Sequence, residues 1–150
     1  GPDCEKTAMV RHSSRMFIVG ASLRVPILTV VLRKAYGLGA MAMSGGGLHE
    51  PFFTVSWPTG EFGPMGLEGA VKLGFKKELE ATPNVKARMA LYEAMVKKSY
   101  EKSKALSAAS VMEFDEVIDP KDTRLWLKTA LESIPKADYS GWGIRYVDSW

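Results

Sequence analysis

Residues 33–46 read RKAYGLGAMAMSGG, and the chemistry such a stretch offers is carried by its backbone. Gly37 and Gly39 flank one apolar residue shortly after the apolar run Val25 to Leu32. That order predicts a strand, a tight turn and the start of a short helix. N–H groups in the first turn of a helix lack intrahelical acceptors and carry partial positive charge, so they can stabilise an oxyanion without an ionisable side chain. Alternatively, the two glycines serve only to permit a tight turn at positive φ. On residue types alone both readings stand.

A nucleotide reading is also available. Gly37-Leu38-Gly39-Ala40-Met41-Ala42 fits the loose dinucleotide fingerprint, and Glu61 follows about twenty residues later. Two features argue against it. A parallel crossover needs a helix of roughly a dozen residues, whereas Ser44 to Gly47 interrupts after about one turn. Arg33 to Tyr36 are also expected to separate the strand from the first glycine.

Side-chain chemistry is sparse elsewhere. His12 falls on the apolar stripe of a predicted helix, where a packed or hydrogen-bonded histidine is expected, and His49 lies in a loop beside Glu50. The two histidines have no metal-ligand spacing, and Cys4 is the only cysteine, so neither a thiolate zinc site nor an internal disulfide is expected. Glu61 and Asp115 have no partner placed by the sequence, and no Ser-His-Asp or Cys-His arrangement emerges.

The elements that must position the turn follow from periodicity. A helix is expected over residues 5–19, with Gly20 ending it, and buried strands over Val25 to Leu32 and Phe52 to Trp57. A helix over Leu67 to Leu79 follows, and Thr82 with Pro83 is read as the start of a long helix whose Val85, Met89, Tyr92, Val96 and Tyr100 step by three or four. Met89, Tyr92 and Val96 are expected in the core or a subunit interface, and Lys97, Lys98, Lys102 and Lys104 by default on a solvated face. A last helix begins at Asp119-Pro120 and stops before Pro135. The aromatic tail after Tyr139 suggests docking against a surface. Strands alternating with helices indicate a layered α/β fold in one unit spanning residues 1–150.

The 150 residues carry 20 Lys and Arg against 17 Asp and Glu, a net charge of only +3, which gives no support to nucleic-acid binding. No stretch of roughly 20 apolar residues exists to cross a membrane. A lone cysteine fits a reducing, cytoplasmic compartment, or the mitochondrial matrix if the source is eukaryotic. The opening GPDCEKTAMV lacks Met and reads as the interior of a longer protein.

Taken at full length, the sequence resembles the C-terminal portion of the carboxyltransferase (beta) subunit of biotin-dependent acyl-CoA carboxylases, the acetyl-CoA and propionyl-CoA carboxylase family. The resemblance is carried by GPDCEKTAMVRHSSRMF, VPILTVVLRKAYGLGAMAM, FFTVSWPTGEFGPMGLEGAVKLGFKKELE and FDEVIDPKDTRLWL, in order and with family-like spacing, and the closing VDSW is similar to the family's natural end. It implies a crotonase-like spiral of strand, turn and helix units, with this chain the latter part of the biotin-side half. It implies carboxyl transfer from carboxybiotin to the α-carbon of an acyl-CoA, with no metal in this chain. The implied partners are acyl-CoA, a biotin carboxyl carrier, a biotin carboxylase component and further carboxyltransferase subunits in a homo-oligomer.

In such an enzyme two oxyanions need two sets of donors. The resemblance assigns the biotin-side set to backbone amides in Gly37, Leu38, Gly39 and Ala40, most directly those of Leu38 and Gly39. It makes Tyr36 and Met41 substrate-pocket residues. A bulky change at Gly39, such as Gly39→Val, is then expected to do more harm than removing the Leu38 side chain. Propionyl-type members tend to read RKAYGGAYD, so Leu38 here replaces a glycine and Met41 an acidic residue beside the acyl group. Arg33 and Lys34 suit either the anionic groups of carboxybiotin and CoA or a solvated strand end. For Lys97, Lys98, Lys102 and Lys104, contact to CoA phosphates or a carrier protein is the functional alternative to the solvated face. A non-catalytic oligomerisation module, or another crotonase-type acyl-CoA enzyme, is the alternative function.

Overall fold

The computed structural model of the chain describes residues 2–136. It begins with helices α1 (Pro2–Glu5) and α2 (Met9–Ser22), parted at Ala8, whose φ of 61° lies in the left-handed region. The single helix expected over 5–19 is therefore broken. The Thr7 hydroxyl donates to the Cys4 carbonyl at 2.8 Å, a local bond that competes with helix propagation. Gly20 does not end α2, which runs on to Ser22. The anticipated inward stripe faces outward instead: Met9, His12, Met16 and Val19 are exposed, while Phe17 and Ile18 are half-buried. His12 is thus solvated rather than packed.

Two successive rungs follow, each made of strand, strand and helix. The first is β1 (Leu28–Val31), β2 (Lys34–Tyr36) and α3 (Gly37–Met43); the second is β3 (Phe53–Ser56), β4 (Glu61–Gly63) and α4 (Leu67–Gly74). The rungs stack in parallel, with Leu28 opposite Phe53 in one sheet and Tyr36 opposite Gly63 in the other. β2 and β4 were not expected from the sequence. All four residues of β3 are buried, as its β-branched and aromatic composition demands. β1, expected to be buried on both faces, has only Val31 buried, because among the described residues it pairs with β3 alone.

The helix expected over 67–79 is likewise divided. Gly74, a poor helix former, precedes a break at Phe75, and α5 (Lys76–Glu80) follows. The long helix α6 (Val85–Lys102) is capped two positions later than the Thr82 expected, with Asn84 Oδ1 accepting from the Ala87 N–H at 3.1 Å. Tyr92 and Val96 are half-buried on its face toward α4, and Met89 stays exposed. The Tyr100 hydroxyl donates to Glu68 Oε1 at 2.7 Å, a bond that holds the Glu68 carboxyl below its usual range. Lys97 and Lys98 are exposed, as expected.

α7 (Ala105–Ala109) leads to β5 (Glu116–Val117), which extends the first sheet to the order β1-β3-β5. A 3₁₀ turn at Pro120–Asp122, capped by Asp119, then opens α8 (Thr123–Ser133). Two apolar clusters hold these layers. Phe62 and Phe114 stack at 4.6 Å among Val31, Ala35, Ala105 and Ala108, and Phe53, Val55, Ile118 and Ala130 pack under Trp126. Buried Thr54 is satisfied on all sides: its N–H donates to Asp115 Oδ2 at 2.7 Å and its hydroxyl to the Leu48 carbonyl at 2.7 Å. α2 approaches the first rung backbone to backbone at one point, since a Cβ on Gly20 would lie 2.7 Å from the Gly45 carbonyl oxygen. The expected docking of the aromatic tail concerns residues outside those described.

Candidate active site

The first rung's helix springs directly from its strand. Tyr36 is extended, with φ −112° and ψ 132°, and Gly37 turns the chain at φ +57° into α3. An L side chain is disfavoured at that φ, and space forbids one as well: a Cβ on Gly37 would stand 2.6 Å from the Pro64 carbonyl oxygen. Pro64 follows Gly63, the partner of Tyr36 in the next rung, so the two turns stack backbone on backbone. Gly39 is different. A Cβ there would meet nothing within 4 Å, so the steric demand expected at Gly39 belongs to Gly37, and Gly39→Val is a weak probe.

This geometry also bears on the nucleotide reading. β2 ends at Tyr36 with Gly37 next, so the presumed gap between strand and glycine does not exist. The short helix remains decisive: α3 has seven residues and ends in a turn with Gly45 at φ 82° and Gly46 at φ 133°. Glu61 is engaged as well. It accepts from the Tyr36 hydroxyl at 2.9 Å through Oε2 and meets Lys104 Nζ at 3.5 Å through Oε1.

The turn opens onto a cleft of about 920 Å³. Gly37, Leu38, Ala40 and Met41 form one wall; Gly46 to Glu50 and Gly63-Pro64 border it, and Lys102, Ser103, Ser107, Ala108, Val111 and Glu113 face them. Leu38 is 70% exposed and Met41 38% exposed. Of the residues singled out from the sequence, Gly37, Leu38, Ala40 and Met41 come together on the cleft, while Gly39 and Tyr36 are not among those lining it. The Tyr36 phenol turns toward Glu61 instead. Burial, and then the Glu61 carboxylate, push its pKa far above the ordinary tyrosine value.

The sequence does not bring the opposite wall together: of its residues only Lys102 is singled out there, on a solvated face, and His49 and Glu50 on the rim are read as part of a loop. The short ALSAA helix gave one signal: small residues at Ala105 and Ala108 let that segment sit close against Phe62. Arg33 and Lys34 are exposed and not among the lining residues. Among the described residues, no three His, Cys, Asp or Glu side chains are grouped to hold a metal ion, and no helix is long and apolar enough to cross a membrane. The cleft is bordered by the Gly37 turn, an apolar wall and a few polar groups opposite.

Residues 1–140 match the family model of the carboxyl transferase domain, and the chain belongs to that family. It is 36% identical over 132 residues to the methylmalonyl-CoA carboxyltransferase 12S subunit of Propionibacterium freudenreichii subsp. shermanii, a match covering 88% of this chain and 25% of the relative. A biotin-dependent acetyl-/propionyl-coenzyme A carboxylase beta5 subunit of Mycobacterium leprae is 29% identical over 138 residues, covering 91% and 25% respectively. The solved structure of a single-chain, multi-domain long-chain acyl-CoA carboxylase superposes with a TM-score of 0.74 at 48% identity, covering 87% of this chain and 13% of that one. The rungs are thus part of the crotonase-like α/β fold of carboxyltransferase subunits. The chain spans about a quarter of the length of these curated relatives.

Proposed function

We propose that this chain is the biotin-side portion of an acyl-CoA carboxyltransferase and that its turn at Gly37 to Ala40 supplies one of the two oxyanion holes. The observation that carries this is the strand-to-helix turn at Gly37, pressed against Pro64 and opening on the cleft in a member of the carboxyl transferase family. The ureido ring of biotin is flat and neutral and needs an oxygen-directed donor beside an apolar surface. Gly37, Leu38, Ala40 and Met41 provide such a surface without a buried charge.

Carboxybiotin, delivered on a carrier protein, supplies the carboxyl group when bound and leaves negative charge on the ureido oxygen. The Leu38 amide, with that of Gly39 behind it, meets that charge. A preorganised donor of this kind contributes about 3 kcal/mol to transition-state stabilisation. Gly37 fixes the direction of both amides. Met41 borders the acyl site and tunes the chain accepted, since an unbranched, polarizable side chain fits several shapes. Acyl-CoA binding, the second donor set and contacts with the carboxylase component belong to the remainder of a homo-oligomeric enzyme.

The test joins this chain to an acyl-CoA-binding half from the same family and follows decarboxylation of malonyl-CoA or methylmalonyl-CoA with free biotin. Turnover is expected. A folded, assembled product with none would overturn the functional reading and favour a non-catalytic oligomerisation module.

A further inference from the structure

We infer that Glu61 is a positioning residue for the donor turn, holding through Tyr36 the strand end from which Gly37 and α3 spring. This rests on the reading of that turn as an oxyanion hole. Glu61 opens β4 opposite Lys34, and its side chain is only 16% exposed. Both carboxylate oxygens are used, one by the Tyr36 hydroxyl at 2.9 Å and the other by Lys104 Nζ at 3.5 Å.

The backbone around it makes this a junction of three segments. The Glu61 N–H donates to the Arg33 carbonyl at 2.7 Å, the Phe62 N–H to the Ser103 carbonyl at 2.8 Å, and the Ala105 N–H to the Gly60 carbonyl at 2.9 Å. The side chain thus ties the approach to the donor turn to the 102–108 wall across the cleft. Tyr36 is the N-cap residue of α3, one position before Gly37, so a shift of its ring is passed to the first-turn amides. With its pKa raised by burial and by Glu61, the phenol remains a donor throughout any ordinary assay range. Such a tie acts on the chemical step, because amide direction matters most where charge develops.

The test measures kcat and KM in the assembled carboxyltransferase containing this chain, for Tyr36→Phe, Glu61→Ala, Glu61→Gln, the double variant Tyr36→Phe/Glu61→Ala, and Gly37→Ala as a marker of the turn. Tyr36→Phe and Glu61→Ala are each expected to lower kcat about tenfold while KM for acyl-CoA stays within about twofold. The double variant should lose no more than the worse single one, and Glu61→Gln, whose amide oxygen still accepts from Tyr36, should recover most of the loss. Wild-type kcat in Tyr36→Phe, or losses that multiply in the double variant, would overturn the proposal. Tyr36→Phe leaves the Glu61–Lys104 pair in place, so the test survives if Glu61→Ala does not fold. If Gly37→Ala is inactive while Tyr36→Phe and Glu61→Ala are normal, only the positioning role falls; if Gly37→Ala is fully active, the donor reading itself falls.

Discussion

Gly37 meets two independent demands, a φ of +57° and a Pro64 carbonyl 2.6 Å from where a Cβ would stand. Gly37→Ala is therefore expected to lower carboxyl transfer by about a hundredfold, comparable to loss of one oxyanion donor. Substrate affinity should change far less, and steady-state kinetics beside a circular dichroism check of folding would show it. Met41→Ala should leave the donors alone and enlarge the apolar wall. The expected result is a change of about tenfold in the ratio of kcat/KM between a short and a long acyl-CoA, the size of effect that a few methylenes can produce. An unchanged ratio would remove Met41 from the acyl site. The glycine pattern was legible in the sequence, but which glycine matters was not. The answer depends on Pro64, distant along the chain and adjacent only once β2 pairs with β4.

At the scale of elements, the buried strand β3 and the helix at Asp119 were readable because their periods and caps are local. β2 and β4 were not, since KAY and EFG are three residues each, too short for an alternation. They exist because each pairs with the other, a non-local fact. The orientation of α2 was missed for a related reason: a helical stripe shows that one face differs from the other, not which face finds a neighbour. Phe114 illustrates how such elements reach the site. It is 3% exposed and stacks on Phe62, with the interplanar angle only 16°, below the α7 wall of the cleft. Phe114→Ala is expected to cost about 3–5 kcal/mol in urea unfolding. A cost below about 1 kcal/mol would mean that this cluster does not hold the wall.

For the whole molecule, the stacked rungs place the Gly37 turn on a cleft, bordered in this chain by the second rung and by α7. The family resemblance was visible along most of the sequence, and with it the spiral. What could not be read was the cleft's far wall, which forms where residues 102–113 return to the first rung. If the division of labour is as proposed, the 150-residue chain alone should give no carboxyl transfer, and a cognate acyl-CoA half should restore it. Transfer by the isolated chain would contradict that division.

The contact between Gly20 and Gly45 has a consequence for any mutational survey. Nothing but main chain meets there, with 2.7 Å between a Gly20 Cβ position and the Gly45 carbonyl oxygen. Alanine scanning works elsewhere by truncation, but at this junction it adds an atom instead of removing one. A survey built on deletions would score α2 as dispensable along its exposed stripe. One added methyl at Gly20 would instead pry the helix from the turn that closes α3, so this anchor is visible only to substitutions that enlarge.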